Sequence, residues 1–527
     1  MMTWSTSEHT DKSRQMRALF LIPPVDYGTR ALPVDRVYGC NYGFDLKPPI
    51  HLLQVATTMR ERAGWDVRLM DCPAEGVDAV QFERFIRENP FDVVCHWAVY
   101  LSAVEDVTAA HRIDRLMPGE QRFVFMGSAA TWRPEEMRVN GQTYCLLGEP
   151  EETLLELDAA WRGEGELTEI LGLGWWDAAG ELQRGEFRPL LDVSALPMPD
   201  RTLLKGRYWA NRLPDGPVTT MVVSRGCGFR CTFCCTNAVD QAIELEYKRL
   251  QPVYVDRPPL RKRTVDQIVA EFENIAALGY KSVEIADNIF TWGKSRTIEI
   301  CDRIAPLGLK WVCLARANML HDVKMIQAMA RAGCQLVYMG SESFDDGLLD
   351  DMMKELKVRD VVKAVETCRE GGVEPEVSVL MGGSPNETWR SLLHSVRAAR
   401  RLGTKFVHFS VALPSPSTEL YDQALAEGWF IEGDYRPADN QQEVIVDLPH
   451  LSARQLTWAI KVAYATKYLH PKAIFTHAST VKTTDDFRDR VKSASRLFGF
   501  LTGRSKSSAR VRIPPGRVTP EGLERSV

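Results

Sequence analysis

The feature that most restricts this chain is a repeated alternation of short apolar runs with longer amphipathic stretches. Apolar runs occur at 17–21, 66–70, 92–99, 122–126 and 144–147. Helical spacing fills 50–63, 81–88, 103–116 and 151–161, and Gly64, Gly127 and Gly148 mark breaks between segments. Strand followed by helix, repeated over about 145 residues, predicts a doubly wound parallel sheet covered on both faces. Sheets of this kind bind ligands beyond the carboxyl ends of their strands.

The alternation weakens over 163–217. Trp175-Trp176 and Gly180 predict a small hairpin, and the Pro-rich stretch 196–200 reads as a linker. From Val218 the pattern resumes. Strands are expected at 219–224, 282–286, 309–315, 335–340, 375–381 and 405–411, and helices at 264–278, 294–305, 322–332, 358–371 and 387–402. Six strands with intervening helices predict a second α/β unit, a partial (β/α)6 barrel. The expected organisation is a flexible start (1–16), a doubly wound domain (17–162), a linker with hairpin (163–217), the partial barrel (218–425) and a mostly helical region (426–503). Residues 504–527 read as a disordered basic tail, with five Lys or Arg and no acid over 504–517.

Composition narrows the chemistry. With 65 Lys+Arg against 70 Asp+Glu, the net charge of −5 offers no broad positive field for nucleic acid. No apolar run is long enough to span a bilayer, and the N-terminus has no signal-peptide pattern, so a cytoplasmic location is expected. Twelve cysteines in 527 residues are too few for a disulfide scaffold.

Four of those cysteines lie within nine residues: Cys227, Cys231, Cys234 and Cys235. The first three form Cys-x3-Cys-x2-Cys, just after the first expected strand of the second unit. Structural zinc sites usually take two separated Cys/His pairs, and no second pair is visible. A four-iron cluster normally takes four thiolates, so three leave one iron open to another ligand. Cys235 is expected not to be a ligand, because adjacent cysteines rarely reach different irons of one cube.

The arrangement resembles the radical S-adenosylmethionine (SAM) superfamily. The resemblance implies a [4Fe-4S] cluster held by Cys227, Cys231 and Cys234, with SAM chelated at the open iron and cleaved to a 5'-deoxyadenosyl radical. It also implies SAM contacts at strand ends. Phe233 would pack the adenine; Asp287, in Glu284-Ile-Ala-Asp287, would meet the methionine amino group, and Arg316 the carboxylate. Glu342 and Ser343, in Gly340-Ser-Glu342-Ser343, match the ribose segment. Gly383 and Glu387, in Gly383-Ser-Pro-Asn-Glu387-Thr388, match the turn near the adenine, with Asn386 where glycine is usual.

The first unit resembles the cobalamin-binding domain of the cobalamin-dependent radical SAM class, through Pro48-Pro-Ile-His-Leu-Leu-Gln-Val-Ala and Gly148-Glu149-Pro-Glu151-Glu-Thr153. Cobalamin would lie near Ser102, Gly127, Ser128, Gly148 and Glu149. The Asp-x-His-x-x-Gly signature is absent, so His51, His96 and His111 are not expected to bind cobalt. The resemblance implies methylation of an unactivated carbon, or of phosphorus, in a small-molecule substrate. It further implies an electron donor such as flavodoxin or ferredoxin, and no nucleic-acid partner. The alternatives are ring formation or oxidation, as in the anaerobic magnesium-protoporphyrin ester cyclases, and a non-catalytic iron–sulfur scaffold.

Overall fold

In a computed structural model, the described residues are 15–27, 33–38, 45–117, 121–210, 212–213, 216–234, 260–416, 418–431 and 444–470, with 495, 498, 499 and 501. Cys235 and the basic tail lie outside them.

The first unit is a seven-stranded sheet in the order β2-β1-β3-β4-β5-β6-β7. Its first five strands are parallel: β1 (Arg17–Ile22), β2 (Asp66–Asp71), β3 (Val93–Trp97), β4 (Arg122–Met126) and β5 (Thr143–Leu146). Nearly every residue of β3 to β5 is buried, as a sheet covered on both faces requires. The covering helices include α1 (Ile50–Arg62), α2 (Cys72–Glu75), α3 (Ala79–Glu88), α4 (Ala103–Leu116), α5 (Ser128–Trp132) and α6 (Glu151–Trp161). Two apolar clusters lie on opposite faces, one around Phe20, Trp65 and Trp97, the other around Leu21, Phe82 and Phe123. The hairpin expected in the linker, β6 (Leu173–Trp176) and β7 (Leu182–Arg184), adds two antiparallel strands to the β5 edge.

The second sheet has six parallel strands in chain order: β8 (Val218–Met221), β11 (Ser282–Ile285), β12 (Lys310–Ala315), β13 (Cys334–Glu342), β14 (Glu374–Met381) and β15 (Phe406–Val411). It curves as an open barrel, without a closing pair between β15 and β8 among the described residues. A two-residue ladder, β9 (Ser224–Arg225) with β10 (Arg261–Lys262), stands beside it. Helices α7 (Val265–Ala277), α8 (Lys294–Ile304), α9 (Val323–Arg331), α10 (Asp346–Asp351), α11 (Val358–Gly371) and α12 (Trp389–Arg401) follow the strands. Local chemistry starts them. Thr264 and Gln267 form a capping box at α7, Thr388 and Ser391 another at α12, and Asp322 caps α9.

Alternate residues of the barrel strands face different layers. Val283, Ile285, Trp311 and Val337 pack with the helices. Val218, Val312 and Leu336 form a small apolar floor with Ala210 and Leu213. The β15 edge is covered by α14 (Ala453–Tyr468), which follows α13 (Glu419–Ala426). The Tyr464 and Tyr468 hydroxyls donate to the carbonyls of Phe409 and Val407, both at 2.9 Å. Pairing those carbonyls removes the open polar row that makes an edge strand a liability.

The carboxyl ends of the two sheets face each other. Ala286, just past β11, shares an apolar cluster with Trp97, Val99, Tyr100 and Leu101 at the end of β3. Arg133, just past α5, donates to the Tyr421 hydroxyl at 2.8 Å. Lys47 reaches Glu284 of β11 at 2.7 Å. Among the described residues, no helix is long and apolar enough to cross a membrane.

Candidate functional site

The cysteine loop begins where β9 ends. Two buried contacts fix its entry. Asp287 accepts from the backbone N–H of Val223 at 2.7 Å and from the Ser224 hydroxyl. Burial pushes its carboxyl up to about 7. Arg225, two residues before Cys227, pairs with Glu149 at 3.0 Å and Glu151 at 2.6 Å, both from the β5–α6 turn of the other unit. All three side chains are almost fully enclosed. Gly226 takes φ 97°, a conformation glycine adopts without strain.

The loop is also held from its far side. Thr232 donates its N–H to Met352 and accepts from the N–H of Leu420. The Cys234 N–H closes a tight turn on the Cys231 carbonyl at 3.1 Å. Cys227, Cys231 and Cys234 are in no disulfide and are partly exposed, whereas the other seven described cysteines are buried. Among the described residues, no three His, Cys, Asp or Glu side chains converge as one metal ion would need. A four-iron cube takes its thiolates at separate corners, so three cysteines spaced along one loop suit it.

Arg316, just past β12, is buried, and its guanidinium lies 3.5 Å over the Phe229 ring. Phe229 stacks on Trp292 with centroids 5.7 Å apart. The Nε and Nη2 of Arg316 and the Nε1 of Trp292 have no hydrogen-bond partner among the described residues. Buried donors of this kind are costly unless something accepts from them. A ligand carrying a carboxylate would satisfy Arg316, so the donor set fits SAM beside a cluster.

The remaining barrel residues divide. Glu342 lies at this mouth with φ 59°, pairs with Lys354 at 2.8 Å and accepts from the Ser378 hydroxyl at 3.2 Å. Phe233 packs partly against the barrel core, 5.7 Å from the Lys354 ammonium. Ser343 turns elsewhere, bonding the Ser395 hydroxyl at 3.2 Å. Gly383 is crowded; a Cβ there would meet Met352 Cε at 2.9 Å. Glu387 accepts from the Gly382 N–H within its own turn, and burial pushes its carboxyl up to about 7. Asp287 and Glu387 thus support loops with their side chains.

In the first unit, Gly127 has φ 94° and Gly148 φ 86° at the ends of β4 and β5. Ser128 is buried at the start of α5. Ser102 belongs to a buried network, accepting from Arg36 and donating to Asp106 at 2.8 Å. Glu149 faces Arg225 and Arg261, so its carboxylate serves the junction rather than the open end of its own sheet. His51 stacks on Trp97 at 5.3 Å and His96 on Phe125 at 5.0 Å. Burial lowers the His51 pKa to about 3, so the ring stays neutral. His111 is on α4, and burial lowers its pKa too. Between the facing sheets, His51 Nε2 and Trp97 Nε1 have no hydrogen-bond partner among the described residues. Unmet polar atoms beside glycine turns suit a bound group at this end.

Sequence reasoning missed Lys354, Arg225, Tyr38 and Lys47, and quoted Glu284 only as the start of the segment ending at Asp287. Glu284 accepts from Tyr38 at 3.1 Å and from Lys47 at 2.7 Å. No motif marks Lys354, Tyr38 or Lys47; only the adjacency of Arg225 to the cysteines could have drawn attention to it.

The sequence model of the Radical SAM superfamily matches residues 221–419, the segment that holds the cysteine loop and five of the six barrel strands. This chain carries a radical SAM domain. An uncharacterized methyltransferase of Pyrococcus horikoshii is 29% identical over 471 residues, covering 87% of this chain and 94% of the relative. Two solved structures share the layout of the radical SAM domain with its N-terminal unit. One is the cobalamin-dependent SAM radical enzyme OxsB with aqua-cobalamin and SAM bound, with TM-score 0.66 and 14% identity, covering 93% of this chain and 72% of that one. The other is the radical SAM methyltransferase TsrM from Kitasatospora setae with cobalamin and a [4Fe-4S] cluster bound, with TM-score 0.58 and 19% identity, covering 79% and 75%. At those identities the likeness is one of fold.

Proposed function

We propose that the chain is a cobalamin-dependent radical SAM methyltransferase acting on an unactivated carbon, or on phosphorus, of a small molecule. The observation that carries this reading is the partly exposed cysteine loop beside buried Arg316, whose Nε and Nη2 have no hydrogen-bond partner among the described residues. The facing of the two sheets adds to it, since a methyl group passes between reacting centres only over a few ångströms. When bound, the cluster and SAM supply radical chemistry, and cobalamin carries the methyl group.

The chain's own residues bind and orient. Cys227, Cys231 and Cys234 hold the cluster. Arg316 takes the methionine carboxylate, Phe233 packs the adenine, and Glu342 accepts from the ribose. Asp287 and Glu387 keep the flanking loops in place. Gly127, Ser128 and Gly148 would let a corrin approach the first sheet closely. Residues 17–162 carry cobalamin and residues 218–425 carry the cluster. The apolar contact of Ala286 with Trp97 and Leu101 helps exclude water where the sheets meet. Electrons come from a small carrier such as flavodoxin or ferredoxin, in the cytoplasm.

The test is anaerobic reconstitution with iron, sulfide and cobalamin, followed by incubation with methyl-labelled SAM and extracts of a deletion strain. The expected result is 5'-deoxyadenosine together with label in a new product. Cyclised or dehydrogenated product without label would move the assignment to the ring-forming class. No SAM cleavage at full iron content would leave a scaffold.

A further inference from the structure

Among the described residues, three that are not glycine have positive φ: Glu342 at 59°, Met353 at 49° and Glu355 at 49°. All three surround one contact. Lys354 lies between Met353 and Glu355, and its ammonium is 2.8 Å from Glu342 Oε1. Left-handed backbone at such residues persists only where the surroundings over-determine it, and it concentrates at functional sites. Here it brings a buried cation and a buried anion together from two separate segments.

The pair stands against the cysteine loop. The Lys354 ammonium lies 5.7 Å from the centroid of Phe233, the residue between Thr232 and Cys234. Two residues before Lys354, the Met352 carbonyl accepts the N–H of Thr232, so loop and turn are joined by backbone. Gly340 leaves room for the contact: a Cβ there would lie 3.0 Å from Lys354 Nζ and would strike the Glu342 carboxylate. Ser378 holds the other carboxylate oxygen at 3.2 Å. Burial works against the Lys354 charge, but the Glu342 carboxylate at 2.8 Å favours it and keeps the ammonium charged. A pair kept only for stability would gain little from such strain, because well-packed apolar residues replace buried pairs at little cost.

We propose that Lys354 is a positioning residue for the cluster: it fixes the Glu342 carboxylate in one orientation and places a permanent positive charge beside the loop of Cys231 and Cys234. This rests on the cluster assignment above. A fixed cation favours the reduced cluster, which carries one more electron, and so raises its midpoint potential. A fixed anion does the opposite.

The experiment is a redox titration of the reconstituted full-length protein, followed by electron paramagnetic resonance, with iron content and SAM affinity measured on the same samples. K354M is expected to keep its iron, to titrate at a lower potential than wild type, and to bind SAM about tenfold more weakly as Glu342 loses its anchor. K354R is expected to restore the potential, and E342Q to raise it. Opposite shifts in K354M and E342Q are something a merely structural pair would not produce. Wild-type potentials in both variants at full iron content overturn the inference. If K354M takes up no iron, K354R and E342Q decide: the first near wild type and the second raised support it, and an unmoved E342Q overturns it. A wild-type protein that holds no cluster defeats the underlying assignment instead.

Discussion

Two turns at strand ends carry nearly the same residues and do opposite things. In the first unit, Gly148-Glu149 follows β5; in the second, Gly382 and Glu387 bracket the turn after β14. Both carboxyls are buried. Burial alone would raise the Glu149 pKa, but Arg225 and Arg261 overcome it and hold the group below the usual range. Glu387 meets a backbone N–H and no cation, and burial pushes it up to about 7. The Glu149 carboxylate joins two units through charge, and the Glu387 carboxyl bonds only within its own turn. The same contrast separates the two mouths. The barrel end presents partly exposed cysteines and a guanidinium with two nitrogens unsatisfied among the described residues, whereas much of the polar chemistry at the end of the first sheet is engaged in the junction and in the Arg36–Ser102–Asp106 network. A glutamate in a motif therefore says little about its role until its facing charges are known.

The strongest way to break this contrast is to remove the thiols. Alanine at Cys227, Cys231 or Cys234 should abolish iron uptake and SAM cleavage, while Cys95→Ala, in the buried core, should keep both. Retained cleavage in a triple variant would sink the cluster assignment.

Next is the junction. Arg225→Met leaves Glu149 and Glu151 enclosed with less positive charge, and stability should fall by about 3–5 kcal/mol. Urea denaturation measures it. A loss below about 1 kcal/mol would mean that the ion cluster does not couple the units.

The two carboxyls should also give pH dependences of opposite sign. An unfolded glutamate ionises near 4.5, so folded Glu387 keeps a proton that the unfolded chain has lost. Its contribution is complete below about 4.5 and is lost as the pH rises to about 7, on the order of 3 kcal/mol. Glu149, with a lowered pKa, contributes above the ordinary glutamate range and loses that contribution as the pH falls through its folded value. Stability against pH in Glu387→Gln should lack the decline between about 4.5 and 7; an unchanged profile would refute the assignment.

Smaller effects probe each mouth alone. Arg316→Ala should weaken SAM binding by about 1–3 kcal/mol, read by equilibrium dialysis, with cluster content unchanged. Unaltered affinity would count against the carboxylate role. Gly127→Ala places a Cβ 2.9 Å from the Ala98 carbonyl at φ 94°. It should cost about 1 kcal/mol of stability and reduce cobalamin uptake. Normal uptake would show that the corrin lies elsewhere.

Much of the architecture was readable because it depends on local periodicity. Each of the six barrel strands expected from apolar runs is present within a few residues, as are the five expected helices, whose ends follow from caps such as Thr264, Asp322 and Thr388. The hairpin around Trp175-Trp176 was legible as a hairpin, but not as the extension of the first sheet, because pairing with β5 is a non-local event. The cysteine loop was legible because ligand spacing is a short-range property. Lys354 was not: a lone lysine carries no pattern, and its partner Glu342 lies twelve residues away across a strand-end turn.

What the sequence determined by itself is therefore the set of elements, their order and the residue types at the strand ends, since these follow from side-chain period, capping and motif spacing. Tertiary structure alone decided which of those residues face open chemistry and which face each other. Arg225 pairs with Glu149 across 76 positions, and Lys47 with Glu284 across 237. Whether a buried charge serves as a binding group or as a structural tie depends on what folding brings against it, because the cost of burial is offset only by a partner within a few ångströms.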